Sequence, residues 1–380
     1  MRISGLELIE IRLPLRTPFV THLGVRSERR ILLVRAESPE VEEGWGECAA
    51  GEDPSYTYET TETARHVLDE YLLPRLTGAE IGGAEDFRGL TRSVRGHPAA
   101  KAALEGALWD LQARELGLPL WELLGGSGRP LRVGVSLGLC TDVRELVRTV
   151  GAYLARGYAR VKLKIRPGHD LEPVRSVRER FPDLALSVDA NGSYGLEDIA
   201  RLKELDAFGL HLIEQPLGHT DLARHAHLQA VLSTPICLDE SIRCEEDLCL
   251  AVQLGACRVA TVKPPALGGL ASARSAHDHC LEHGIPAWVG GMLDTGIGKA
   301  QNLALATLPG FSLPGDLAES ARHWEADIVD PPFSLVEGAM HPPRAPGIGV
   351  RPDRERIAGL AVGSVRFGRL EAPVVSGRTG

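Results

Sequence analysis

Arg160-Val-Lys-Leu-Lys-Ile165, Leu184-Ala-Leu-Ser-Val-Asp189, Gly209-Leu-His-Leu-Ile-Glu214, Pro235-Ile-Cys-Leu-Asp239 and Arg258-Val-Ala-Thr-Val-Lys263 punctuate one stretch of the chain at a nearly constant interval. Each is a short apolar run closing on a charged residue. Lys164, Asp189, Glu214, Asp239 and Lys263 follow one another at steps of 25, 25, 25 and 24 residues. A strand of about six residues, a helix of about eleven and two loops of about four add to roughly 25. Each step is therefore one strand–helix unit, and such repeats specify a parallel sheet. Val133–Gly138, Pro286–Gly290 and Phe311–Asp316 extend the series to eight strands. Eight strands close a barrel, and the charged residues then lie at the C-terminal rim where such folds build their sites.

The expected fold class is α/β, a modified TIM-type (β/α)7β barrel with an α+β capping domain. Residues 1–126 are expected to form the cap, 127–317 the barrel, and 318–380 a tail that returns to complete the cap. The start alternates Leu6, Leu8 and then Ile11, Leu13, as a half-buried strand does. Arg30–Ala36 reads as a second strand. Ala99–Leu116 carries Ala103, Leu104, Ala107, Leu108 and Leu111 at helical spacing, predicting an apolar stripe with charges opposite.

Composition narrows the function. The 380 residues are 43% hydrophobic and 24% charged, as in a globular enzyme. A net charge of −9 argues against nucleic acid, whose phosphates demand clustered Lys and Arg. No run approaches the roughly 18 apolar residues of a membrane helix, and no leader peptide is recognisable, so no membrane association and a cytoplasmic location are expected. Seven cysteines at irregular spacing suit a reducing compartment.

Asp189, Glu214 and Asp239 occupy equivalent ends of successive strands, so their carboxylates are expected to converge over the barrel mouth. Three carboxylates repel unless a cation lies among them, and all-oxygen ligands favour Mg²⁺ or Mn²⁺ over zinc. Lys162 and Lys164, two apart on a strand, face the same way. Each disfavours the other's charge, which lowers the pKa of at least one towards that of a general base. Lys263 faces Lys164 from the sixth strand of the series. Two bases on opposite sides of a metal-held carboxylate can move its α-proton.

At these residues the chain resembles the enolase superfamily in its muconate-lactonising subgroup. The motifs are Lys162-Leu-Lys164, Asp189-Ala-Asn191, Ile213-Glu-Gln-Pro216, Leu238-Asp-Glu-Ser241 and Val262-Lys263, with Ala107-Leu-Trp-Asp-Leu111 in the cap. Gly290-Gly-Met-Leu-Asp-Thr-Gly296, Leu308-Pro-Gly-Phe311 and Leu313-Pro-Gly-Asp316 look most like the branch of o-succinylbenzoate synthases and N-acylamino acid (N-succinylamino acid) racemases. The resemblance implies Mg²⁺ held by Asp189, Glu214 and Asp239, supported by Lys162, Asn191 and Glu240. It makes Lys164 the base for a syn dehydration on the route to menaquinone, with Lys263 a cation there and a second acid/base in racemisation. Phe19, Ser136, Met292 and Leu293 would line the cavity of a small carboxylate substrate, and Thr17–Arg30 would form a lid. A homo-oligomer is expected. Racemising relatives commonly carry arginine three residues after the sixth-strand lysine, where Ala266 stands here, so dehydration is favoured over racemisation. Dipeptide epimerases typically show Asp-x-Asp on the eighth strand, against the single Asp316 here.

Two further patterns resemble sites. Gly291–Ala300 fails the spacing of a phosphate loop, and Ala300 replaces the magnesium-binding Ser or Thr; a helix N-terminus able to hold a substrate carboxylate is expected instead. His219, His225 and His227 are expected on the surface, and His283 carries no readable signal.

Overall fold

The computed structural model describes residues 1–41 and 43–368; residues 369–380 of the expected tail segment lie outside the described residues. Strands β1 (Gly5–Thr21), β2 (Gly24–Glu37) and β3 (Gly44–Cys48) form an antiparallel sheet. A late strand, Ala361–Gly368, adds to its edge by pairing with β1. Helix α1 (Pro98–Glu115) crosses this sheet. Gly46 permits the close approach, since a Cβ there would lie 1.9 Å from the Ala103 carbonyl oxygen.

Seven parallel strands follow: β4 (Gly134–Leu137), β5 (Arg160–Lys164), β6 (Leu186–Asp189), β7 (Leu212–Glu214), β8 (Ile236–Leu238), β9 (Val259–Val262) and β10 (Ala287–Val289). Each pairs with its sequence neighbours, as short crossovers between parallel strands require. Residues 311–316 bridge the two edges: Gly134 N donates to Gly315 O at 2.7 Å and Asp316 N to Val289 O at 3.2 Å. The sheet thus curls back on itself. Among the outer helices are α2 (Glu245–Leu254), α3 (Leu270–Glu282) and α4 (Gly296–Ala306).

Helix α1 departs from the sequence expectation. It is buried on nearly all sides, Glu105 and Asp110 included, because these carboxylates accept backbone N–H groups from other segments and do not form a solvent face. Glu105 accepts hydrogen bonds from Leu270 N and Ala271 N at the start of α3. Asp110 accepts from Trp45 N at 2.8 Å and Ile348 N at 2.7 Å. Glu47 on β3 accepts from Thr295 N, Thr295 Oγ1 and Gly298 N at the start of α4. Two glutamates of the N-terminal part therefore satisfy the orphan N–H groups of two barrel helices. Burial pushes Glu105 up to about 8 and Glu47 up to about 7, against the opposing pull of these donors. Glu105→Ala strands two buried N–H groups and is expected to cost about 2–4 kcal/mol. Urea unfolding measures this; a loss under about 0.5 kcal/mol would show that the cap contributes little.

Candidate active site

The strand register brings the charged residues together. Lys164 pairs with Asp189 across β5 and β6, and Asp189 with Glu214 across β6 and β7. All five spaced residues end or directly follow their strands at one rim. A cavity of about 1360 Å³, counting its open mouth, is lined there by Lys162, Lys164, Asp189, Asn191, Asp239 and Lys263. Phe19, Ser136, Met292 and Leu293 line the same cavity.

Each lysine is tied to carboxylates. Lys162 Nζ lies 2.7 Å from Glu214 Oε2, 2.6 Å from Asp316 Oδ2 and 3.3 Å from Asp189 Oδ2. Lys164 Nζ donates to Asp189 Oδ2 and Asn191 Oδ1, both at 2.6 Å. Lys263 Nζ donates to Asp239 Oδ2 and to the Tyr56 hydroxyl, both at 2.6 Å, and Tyr56 itself donates to Asp239 at 2.9 Å. Asn191 Nδ2 donates to Glu240 Oε1 at 2.7 Å.

Lys162 shows none of the lowering expected of at least one β5 lysine. Burial does push Lys162 down, but Asp316, Glu214 and Asp189 together outweigh it and hold the ammonium well above its ordinary value. The neighbouring carboxylates, not the second lysine, dominate. Lys263 behaves alike: burial lowers it, and Asp239, Glu240 and Glu214 raise it further. Burial, then Asp189, pushes Glu214 far up despite Lys162. Glu240 is raised to about 7 by burial and by Asp239.

The donor set suits a hard divalent cation. Glu214 Oε1 and Glu240 Oε2 are buried with no hydrogen-bond partner among the described residues, an arrangement costly for a carboxylate unless a cation accepts it. The carboxylates are not, however, gathered into a closed ligand set. Among the described residues, the group whose ligand atoms all lie within 4.8 Å of one another is His279, Glu282 and His283. Asp189, Glu214 and Asp239 each give an oxygen to a lysine instead. A cation at this rim must exchange lysine–carboxylate bonds for its own.

The turns beyond the strands are strained. Asn191, Gln215 and Leu293 have φ of 46°, 37° and 59°, a region non-glycine residues seldom adopt and one that clusters at functional sites. Gln215 anchors its neighbours, its Oε1 accepting from Asp239 N at 3.1 Å and Ser241 N at 3.2 Å. The expected lid is the hairpin end of β1 and β2, pairing Phe19 with Arg26. Leu139 N donates to Val20 O at 2.9 Å, which docks this hairpin on the end of β4.

Two further expectations fail. The N-terminus of α4 cannot receive a substrate carboxylate, because Glu47 takes Thr295 N and Gly298 N and Asp327 takes Gly296 N. His225 is fully buried, not on the surface. Its Nδ1 donates to Asp221 O at 2.8 Å and its Nε2 accepts from Leu217 N at 3.2 Å, so it braces the loop after β7. Tyr56 and Gln215 escaped sequence reasoning, as did Trp288, whose ring centroid lies 4.8 Å from Lys162 Nζ. Tyr56 sits in a loop remote in sequence, and no spacing announces it. Asp316 proves to be held on both oxygens, by Lys162 and by Arg160 at 2.7 Å.

Comparison with known proteins agrees with this architecture. Residues 4–125 match the mandelate racemase / muconate lactonizing enzyme N-terminal domain, and residues 145–356 match the enolase C-terminal domain-like family. The chain is 44% identical over 357 residues to an o-succinylbenzoate synthase of Geobacillus kaustophilus, covering 94% of this chain and 95% of the relative. It is 47% identical over 350 residues to an N-succinylamino acid racemase of Thermus thermophilus, covering 92% and 95%. A solved enolase superfamily structure from Listeria innocua superposes with a TM-score of 0.93 at 39% identity, covering 96% and 98%. No helix among the described residues is long and apolar enough to cross a membrane. Two domain matches that together span most of the chain, relatives at 44 and 47% identity and a shared fold place the chain in the enolase superfamily, among the mandelate racemase / muconate lactonizing enzymes.

Proposed function

We propose that the protein is an o-succinylbenzoate synthase, dehydrating a succinyl-hydroxycyclohexadiene carboxylate. The observation that carries this reading is the pair Lys164 and Lys263, which line one cavity from β5 and from the end of β9 with carboxylates between them. Asp189, Glu214 and Asp239 would hold Mg²⁺, or Mn²⁺ in its place. When bound, such an ion supplies positive charge where the substrate carboxylate gains negative charge as its α-proton leaves.

The chain's own residues do the rest. Lys164, as the neutral amine, takes the α-proton on Nζ. The same nitrogen returns a proton to the departing hydroxyl on the same face, so that one C–O bond breaks and water leaves. Asn191 positions that nitrogen by accepting a hydrogen bond from it at Oδ1. Lys263 stays a cation against the developing charge, as a preorganised positive group at the reacting carboxylate does. Ala266 adds no second charge beside it; its N–H bonds only Lys263 O. Phe19 on the lid hairpin, Ser136, Met292 and Leu293 shape the wall.

The second reading is racemisation of N-succinylamino acids, favoured by the 47% identity to a racemase. There Lys263 would have to cycle through its neutral form. Assaying the purified, magnesium-loaded enzyme on both substrates decides the matter. Dehydration at least about tenfold faster in kcat/KM supports the synthase. Solvent deuterium washed into an N-succinylamino acid without any dehydration reverses the order.

A further inference from the structure

We propose that His279, Glu282 and His283 form a second cation site, for a zinc-type divalent metal, at the C-terminal end of α3. One ligand atom from each of the three lies within 4.8 Å of the other two. His279 and His283 are four residues apart, so their rings share one face of the last helical turn, with centroids 4.1 Å apart. In each ring one nitrogen is already engaged and the other is available. His283 Nδ1 donates to His279 O at 2.9 Å, which fixes the tautomer and leaves Nε2 as a lone-pair donor. His279 Nδ1 lies 3.7 Å from Cys249 Sγ on α2, while its Nε2 is a buried atom without a partner among the described residues. A ring held by an outer partner with its second nitrogen free is the usual preparation of a metal-binding histidine.

The ligand chemistry differs from that of the barrel rim. Two imidazoles and one carboxylate favour Zn²⁺ over Mg²⁺, with water as a fourth ligand. A cation at this place also faces the negative end of the helix dipole. Because α3 leads from β9 back to β10, its last turn lies at the rim opposite Lys263. A metal there does not touch the catalytic lysines.

The test uses the full-length enzyme saturated with Mg²⁺, titrated with Zn²⁺ by calorimetry and with Co²⁺ by visible absorption. We expect one Zn²⁺ per chain, a Co²⁺ spectrum of low coordination number, and a rise in melting temperature with added Zn²⁺. His283 is exposed, so His283→Ala should fold normally and keep Mg²⁺-dependent turnover. It should weaken Zn²⁺ binding by more than the roughly 10- to 100-fold that loss of an outer-shell partner costs and shrink the thermal shift accordingly. Glu282→Gln, also at an exposed position, should weaken binding without disturbing the fold. Equal stoichiometry and affinity in wild type and His283→Ala would overturn the proposal, as would a wild-type enzyme that binds no Zn²⁺ once Mg²⁺ is saturating.

Discussion

Lys164→Ala is expected to lower turnover of the succinyl-hydroxycyclohexadiene carboxylate by about 10²–10⁴-fold, the usual contribution of a positioned general base. The loss should fall on kcat more than on KM, since Lys164 holds Asp189 and Asn191 in the resting site and acts on the substrate only as the proton moves. A fold defect would be a poor explanation, because the side chain ends in the cavity and its backbone remains in β5. Circular dichroism with steady-state kinetics checks both points. Turnover within about threefold of wild type would remove Lys164 from the role of base.

Lys263→Ala is expected to cost about 10²–10³-fold, as the loss of one preorganised charge at the reacting carboxylate does. Its consequences differ from those of Lys164→Ala in one respect. With Lys164 intact, solvent deuterium should still enter the α-position of an N-succinylamino acid from one face, while racemisation stops. Lys164→Ala should show the mirror preference or no exchange. Removal of Lys263 also leaves Asp239 and Tyr56 without their shared ammonium. A variant that still interconverts both enantiomers at the wild-type rate would contradict an opposed pair of lysines.

Much of this arrangement was legible in the chain because a barrel repeats. A step near 25 residues spaces Lys164, Asp189, Glu214 and Asp239 over consecutive strands; the register pairs Lys164 with Asp189 and Asp189 with Glu214, while Glu214 pairs with Cys237 and Asp239 follows just beyond. The period says where a residue ends up along the rim, not which way its side chain turns. The lysine–carboxylate ties were therefore invisible, and so was the outcome that carboxylates raise Lys162 and not the reverse. Contacts across the two parts of the molecule were equally hidden. Glu47 and Glu105 look like solvent-facing charges in their own segments, and only the packing of β3 and α1 on the barrel makes them helix caps. Tyr56 reaches Lys263 across 207 residues of sequence. His283 carries no readable signal in the sequence, and its spacing of four from His279 gains meaning only in three dimensions, from Glu282 and the Cys249 contact.

In the loaded enzyme the strand-end carboxylates are expected to give up their lysines for a hard cation. Electron paramagnetic resonance of Mn²⁺, an oxygen-preferring stand-in for Mg²⁺, tests it with wild type, Glu214→Gln and His283→Ala side by side. One tightly bound Mn²⁺ per chain is expected, competed by Mg²⁺, retained in His283→Ala and lost in Glu214→Gln. Undiminished Mn²⁺ binding in Glu214→Gln, or none in wild type, would contradict it.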